Sequence, residues 1–143
     1  MPQHLIKLSV GTQSPEMLHI WQEQRSYMDD EGQQVVAHVT RNRPKREKEV
    51  LDGGSLYWIV KGQIVARNQI VGLEDVESSD GKKRCALILK VPAVETFPKR
   101  HKIFQGWRYL DPDNAPDDMP KGQKGFSEMP AEMVMDLKEL GLI

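Results

Sequence analysis

The fold of this chain is decided by the segment LDGGSLYWIVKG at residues 51–62. Its Asp52-Gly53-Gly54 triplet is a turn signal, and the aromatic and β-branched residues that follow it are typical of a strand. Lys61-Gly62 comes next, and a two-residue loop with glycine in second place favours a tight hairpin. With the apolar alternation that continues to residue 91, this segment predicts three consecutive strands: Ser55–Lys61, Gln63–Val76 and Lys82–Val91.

The hairpin loop determines which residues of the first two strands lie opposite one another. If the loop is only Lys61-Gly62, the expected pairs are Val60 with Gln63, Trp58 with Val65 and Leu56 with Arg67. Opposed residues share a face, so Arg67 is expected on the face of Trp58, within reach of a cation–π contact. Gly72, inside the long second strand, predicts a bulge or a sharp bend of the kind that small barrels use at their corners.

The remaining elements follow from spacing and from turn residues. Ser14-Pro15 is typical of a helix start, and apolar residues at helical spacing follow it. A second set of helical spacings, from Met133 to Leu140, follows Pro130. The predicted elements outside the hairpin are a strand at residues 4–10, a helix at 15–28, a strand at Gln34–Thr40, one or two helical turns within Arg46–Leu51, an irregular acidic segment at 111–126 and a short C-terminal helix.

Together these elements predict one α+β domain over residues 1–143: a small, mostly antiparallel β-barrel with an N-terminal helix and a short C-terminal helix. The single cysteine, Cys85, excludes an internal disulfide and suits a reducing cytoplasm. No apolar run approaches the roughly 20 residues of a membrane span, and no basic-then-apolar leader is visible at the N-terminus. We therefore expect a cytoplasmic protein without a membrane partner.

The net charge of −1 hides an uneven distribution along the chain. Residues 1–40 carry a net charge of −3, and residues 109–143 a net charge of −5. Residues 41–108 carry fifteen lysines and arginines against eight acidic residues, a net charge of +7. A surface field of one sign can steer a partner of the opposite sign, so the basic middle suggests an anionic partner. The alternative is that folding brings the acidic ends onto the basic middle and the charges cancel.

The candidate binding residues are the cations of the basic middle and the tryptophans near them. Guanidinium and ammonium groups suit phosphate contacts, and tryptophan faces suit stacking on nucleic-acid bases. The simpler alternative is that the tryptophans lie in the core and the cations form a solvated edge. For an RNA or nucleotide ligand, the candidates are Arg41, Arg43, Lys45, Arg46, Trp58, Arg67, Trp107 and Arg108.

Three stretches resemble a family of small bacterial proteins of unknown function: TRNRPKR at 40–46, GGSLYW at 53–58 and FQGWRYL at 104–110. The family opens with a similar His-Leu-Ile-Lys strand, so the resemblance covers nearly the whole chain, and it implies no activity. Over residues 38–91, the basic run, Asp-Gly-Gly turn, aromatic strand and hairpin are also similar to the pseudouridine-synthase-and-archaeosine-transglycosylase-like (PUA-like) barrels, which include ASCH- and EVE-type domains. This second likeness implies a barrel that binds RNA or modified bases, and some of those relatives are amidohydrolases.

Other chemistries have less support in the sequence. The four histidines and one cysteine lack metal-ligand spacing, and phosphate-loop, nucleophile-elbow and dinucleotide motifs are missing, so we expect no metal and no cofactor. Two alternative functions stay open, and so does the oligomeric state. A small amidohydrolase-like enzyme acting on a nucleoside-type substrate would use Lys45 as a base, together with Thr40 and Glu74. A protein-interaction module would use the acidic C-terminal part of the chain.

Overall fold

The structure, a computed structural model, describes residues 2–9 and 14–119. In this part of the chain the elements, in order, are β1 (His4–Leu8), α1 (Pro15–Arg25), β2 (Tyr27–Met28), β3 (Gln34–Thr40), α2 (Glu47–Val50), β4 (Ser55–Val60), β5 (Gln63–Glu77), β6 (Lys83–Lys90), β7 (Val94–Arg100), β8 (Trp107–Leu110) and a 3-10 helix (Pro112–Asn114).

The elements predicted around the hairpin are confirmed. The three strands after the Asp52–Gly54 turn agree with the prediction to within one residue at each end, and the strand at Gln34–Thr40 agrees fully. Helix α1 begins at Pro15 as expected but ends at Arg25, three residues early. A short 3-10 helix lies inside the segment predicted to be irregular. The predicted C-terminal helix lies outside the described residues.

The strands form one mixed sheet with the order β2-β3-β6-β5-β4-β1-β8, and β7 pairs with β5 beside this path. Neighbouring strands are antiparallel, except β1 and β4, which are parallel. Within the described residues β2 and β8 do not pair with each other, so the sheet is open and the predicted closed barrel is not observed. Over residues 2–9 and 14–119 the fold is therefore mostly β, with an open mixed sheet, one longer α-helix and one α-helix of a single turn.

Strand β5 joins two parts of this sheet. Its first half pairs with β4 on one side and with β7 on the other, whereas its second half pairs with β6. The register shifts between Ile70 and Gly72, which confirms the bulge predicted at that glycine. A Cβ atom at Gly72 would lie 3.3 Å from the Cβ atom of Ile88, so glycine permits the close approach of β5 to β6 at this point.

The β4–β5 hairpin keeps the predicted pairing next to its loop and departs from it at Trp58. Lys61 and Gly62 have φ angles of 51° and 79°, as a tight two-residue turn requires. The observed pairs are Val60 with Gln63, Ile59 with Ile64, Trp58 with Ala66, Tyr57 with Arg67 and Leu56 with Asn68. A register shift between Trp58 and Ile59 causes the difference. Arg67 consequently lies on the opposite face of the sheet from Trp58, and the predicted cation–π contact is wrong.

A buried amide network ties α1 to the sheet. The side-chain oxygen of Asn68 accepts hydrogen bonds from Gln22 Nε2 at 2.9 Å and from Trp58 Nε1 at 2.8 Å. Its side-chain nitrogen donates to Gln22 Oε1 and to the backbone oxygen of Lys90, both at 2.9 Å. Asn68 is 0% exposed, so its amide is fully satisfied by protein groups.

Replacing Asn68 by alanine is expected to lower the free energy of unfolding by about 3 kcal/mol or more, because buried groups of Gln22, Trp58 and Lys90 lose their partners. Urea unfolding followed by circular dichroism measures the change. The control Gln69→Ala alters the next residue, which is exposed, and should stay within about 0.5 kcal/mol of wild type. A loss below about 1 kcal/mol for Asn68→Ala would contradict the importance of this network.

Candidate functional site

The loop that carries the basic run lies against the aromatic strand β8. Trp107 Nε1 donates a hydrogen bond to the backbone oxygen of Asn42 at 2.9 Å. The backbone N–H of Arg46 donates to the hydroxyl of Tyr109 at 3.2 Å. The guanidinium carbon of Arg46 also lies 5.2 Å from the centre of the Tyr109 ring, at cation–π distance. Strand β8 therefore holds this loop near both of its ends.

The rings of β8 form an aromatic pair beside the loop. Trp107 and Tyr109 alternate along the strand and share a face, with ring centroids 5.1 Å apart and ring planes at 77°. Tyr109 is 38% exposed, whereas Trp107 packs partly against the core. Trp58 is only 2% exposed, and its indole N–H is bonded to Asn68. Trp58 therefore lies in the core, as the simpler alternative predicts, and its ring is not part of the protein surface.

Two of the candidate arginines are paired with carboxylates. Arg43 contacts Glu47 through Nε and Asp75 through Nη1, the second contact at 2.7 Å. Arg67 makes two bonds to the carboxylate of Asp118, at 2.7 and 2.6 Å. Hydrogen bonds to these carboxylates raise the pKa of both guanidinium groups above its usual value. At Arg67 an acidic residue from the C-terminal part of the chain cancels a charge of the basic middle, as the alternative interpretation predicts.

The other four candidate cations have no acidic partner among the described residues. Arg41 and Lys45 are exposed there and form no ion pair. The side chain of Arg46 contacts only neutral groups. Arg108 lies over the ring of Phe104 at 4.5 Å, on the face of β8 that points away from the aromatic pair. The structure thus brings together a set that we call the β8 surface: Arg41, Lys45, Arg46, Trp107 and Tyr109.

The residues of the enzymatic alternative are not brought together. Thr40 is buried, and its hydroxyl donates to the backbone oxygen of Asn42 at 3.1 Å. Thr40 pairs with Cys85, whereas Glu74 pairs with Ala86, the next residue of the same strand. Because neighbouring residues of a strand point to opposite faces, Thr40 and Glu74 lie on different sides of the sheet. Thr40 and Glu74 therefore cannot face the same pocket on one side of the sheet.

Cys85 is buried in the core, and burial raises the pKa of its thiol. A thiol in such a setting stays protonated and unreactive. Across residues 2–9 and 14–119, no three side chains of His, Cys, Asp or Glu are placed to hold a metal ion together. Neither helix in that range has the length and apolar character needed to cross a bilayer.

A cavity of about 190 Å³ lies beside α1 and was not predicted from the sequence. Its lining consists of Lys7, Leu8, Ser9, Leu18, Trp21, His38, Val39 and Trp58. The imidazole of His38 packs edge-on against Trp58 and Trp21, with ring centroids 5.1 and 6.4 Å apart. His38 Nε2 is buried and has no hydrogen-bond partner among the described residues. Burial and the nearby charge of Lys7 lower the pKa of His38 to about 4, so its ring is neutral at pH 7.

The alternation of residues along β1 and β3 could have indicated this cavity from the sequence. Lys7 pairs with Trp58, so it lies on the core-facing side of β1. His38 lies between Val36 and Thr40 in the alternation of β3, and both of those residues are buried. A lysine and a histidine thus occupy positions where alternation predicts apolar residues. Such substitutions in a core-facing stripe are the pattern that would have indicated a site here.

The low pKa of His38 makes stability depend on pH. In the unfolded chain His38 takes up a proton near pH 6.5, whereas in the folded protein it does so only near pH 4. The unfolded state therefore binds more protons in this interval, and the free energy of unfolding falls as the pH is lowered from 6.5 to 4. His38 alone contributes a loss of about 3 kcal/mol.

Urea unfolding at pH 7 and pH 4 measures this loss. The matched variant is His38→Phe, which keeps a ring against the tryptophans but removes the titrating group. It is expected to lose about 3 kcal/mol less than the wild type over the same interval. Equal losses in the two proteins would show that His38 is not held neutral by burial.

Comparison with known proteins gives a family and no activity. A family model described as a protein of unknown function (DUF1489) matches residues 5–143. No significant match was found among curated proteins or solved structures. The match extends over nearly the whole chain, in agreement with the first resemblance drawn from the sequence. The chain therefore belongs to the DUF1489 family of proteins of unknown function.

Proposed function

We propose that this protein binds a nucleic acid or a nucleotide through the β8 surface. The proposal rests on one observation: cations that have no acidic partner among residues 2–9 and 14–119 lie beside a partly exposed aromatic pair. Arg46 lies over Tyr109, and Trp107 is fixed by its bond to the backbone of Asn42. Phosphates need cations that carboxylates do not already neutralise, and a base needs an accessible ring on which to stack. The β8 surface supplies both.

Single-stranded RNA is the form of nucleic acid that this surface fits best. The bases of a single strand are free to stack on aromatic side chains, whereas those of a duplex are stacked on each other. Two rings with centroids 5.1 Å apart can contact one or two bases, and the loop cations can contact the adjoining phosphates. We therefore expect weak sequence preference and strong dependence on salt.

A PUA-like barrel is the finer fold that accompanies this proposal. It is supported by the Asp52–Gly54 turn, the tight β4–β5 hairpin and the bend of β5 at Gly72. Gly54 fits such a turn, because a Cβ atom there would lie 2.3 Å from the backbone oxygen of Gln3. The single cysteine, Cys85, supports the further proposal that the protein works in the cytoplasm, where thiols stay reduced.

The proposal predicts that affinity for a short labelled single-stranded RNA falls steeply as salt is raised, because binding releases counterions from phosphates. Fluorescence anisotropy over a series of salt concentrations gives the slope of log affinity against log salt. Arg41→Gln and Lys45→Gln each remove one phosphate contact and should make this slope shallower by about 0.7.

The matched control is Lys90→Gln, which removes an exposed lysine from the far end of β6. It should leave both the affinity and the salt slope unchanged. Two results would refute the proposal: no binding at low salt, or the same slope for wild type, Arg41→Gln and Lys45→Gln. A single-stranded DNA of the same length, tested in parallel, shows whether the 2′-hydroxyl contributes.

A further inference from the structure

We propose that the cavity beside α1 is a binding site for a small planar aromatic anion, such as a ring carboxylate. Nothing in the β8 surface requires this second ligand, so the proposal stands apart from nucleic-acid binding. Three features of the cavity support it: a histidine nitrogen and a lysine that have no hydrogen-bond partner and no counter-charge, respectively, within the described part of the chain, and walls that include two indole rings.

The first feature is the buried nitrogen of His38. A buried polar atom without a partner destabilises the fold, because it has lost its bonds to water and gained none in exchange. His38 Nε2 is in this position, although it lines a cavity large enough to admit another molecule. A ligand atom that hydrogen-bonds to the imidazole would remove this cost. The ring is held against Trp58 and Trp21, so its orientation is already set before a ligand arrives.

The second feature is the charge of Lys7. Lys7 is half-buried in the cavity lining, so its ammonium group has lost part of its hydration, and this burial lowers the pKa of Lys7. No carboxylate pairs with it among the described residues. A partly desolvated cation without a counter-ion is stabilised by a ligand of negative charge. Lys7 therefore selects an anion over a neutral molecule of the same shape.

The third feature is the shape and polarity of the walls. The lining includes the indole rings of Trp21 and Trp58 together with Leu18. Aromatic walls favour flat rings, which stack or meet them edge to face. An apolar cavity of roughly 150 Å³ is enough to bind benzene in another protein. At about 190 Å³ this cavity has room for one six-membered ring that carries a carboxylate.

The cavity lined by Arg67 does not compete for such a ligand. It contains His4, Tyr57 and Arg67, but both terminal groups of the Arg67 guanidinium are already bonded within the protein. Asp118 occupies two of its N–H directions, and the Ser55 hydroxyl accepts a third bond at 2.9 Å. A free anion would have to displace Asp118. At Lys7 no such displacement is needed.

Benzoate is the probe for the test, with benzamide as a neutral molecule of the same shape and cyclohexanecarboxylate as a non-planar acid of the same charge. Isothermal titration calorimetry gives the affinities, and tryptophan fluorescence reports on Trp21 and Trp58. Benzoate should bind and change the fluorescence, and each comparison compound should bind about tenfold more weakly or worse. Failure of benzoate to bind, or equal binding of all three compounds, would overturn the proposal.

Two variants test the residues. Lys7→Met keeps the aliphatic stem and removes the charge, and His38→Phe keeps a ring and removes the nitrogen. Each should weaken benzoate binding by about tenfold, whereas Lys90→Met, which removes an exposed lysine elsewhere, should leave it unchanged. Unfolding of each variant at pH 7 is measured alongside, so that loss of folding is not mistaken for loss of the site.

Stability separates a binding role from a structural one. If His38 serves the ligand, His38→Phe should keep or raise the stability of the ligand-free protein at pH 7, because it removes a buried polar atom without a partner. It should lose the stabilisation that benzoate confers on the wild type. A destabilised His38→Phe that still binds benzoate normally would overturn the assignment of His38.

Discussion

The side-chain amide of Asn68 is the constraint on which the rest of the structure depends. This one group bonds to Gln22 of α1, to Trp58 of β4 and to the last residue of β6. Since the three bonds to Gln22 and Trp58 are buried, moving either partner would leave a buried polar group unsatisfied. Asn68 also lies two residues before the register shift of β5. Helix α1 is therefore attached close to the point where β5 passes from one part of the sheet to the other. Trp58, which is bonded to Asn68, also lines the cavity beside α1.

Charge pairing then decides which part of the basic middle can meet an anion. Asp118 bonds to Arg67, and the backbone groups on either side of it bond to β7. Glu47 and Asp75 hold Arg43 from two elements. Of the six candidate cations, Arg41, Lys45 and Arg46 remain without an acidic partner among the described residues and lie on the loop beside the two rings of β8. Pairing thus removes Arg43 and Arg67 from the candidate set and leaves these three on the β8 surface.

Local patterns predicted the strands and the turns around Asp52–Gly54 because these depend on neighbouring residues. The predicted pairing of β4 with β5 differs from the observed pairing by one residue beyond Ile59, because the residue types at Trp58 and Ile59 do not indicate a bulge. Strand β7 was missed because Pro98 and its basic neighbours weaken the strand signal, and because its stability comes from pairing with β5. The β8 surface rests on the contact between Asn42 and Trp107, which are 65 residues apart, and spacing rules do not reach that far.

The lengths of the outer strands affect how copies of this protein can associate. In the described residues the sheet ends in β2, of two residues, and β8, of four. Short edges expose few backbone donors and acceptors to a strand from another molecule. Along β7, Pro98 contributes no N–H group, and the bridge from Thr96 to Asp118 occupies part of the free side. Addition of a strand from another molecule at β2, at β8 or along β7 is thereby disfavoured.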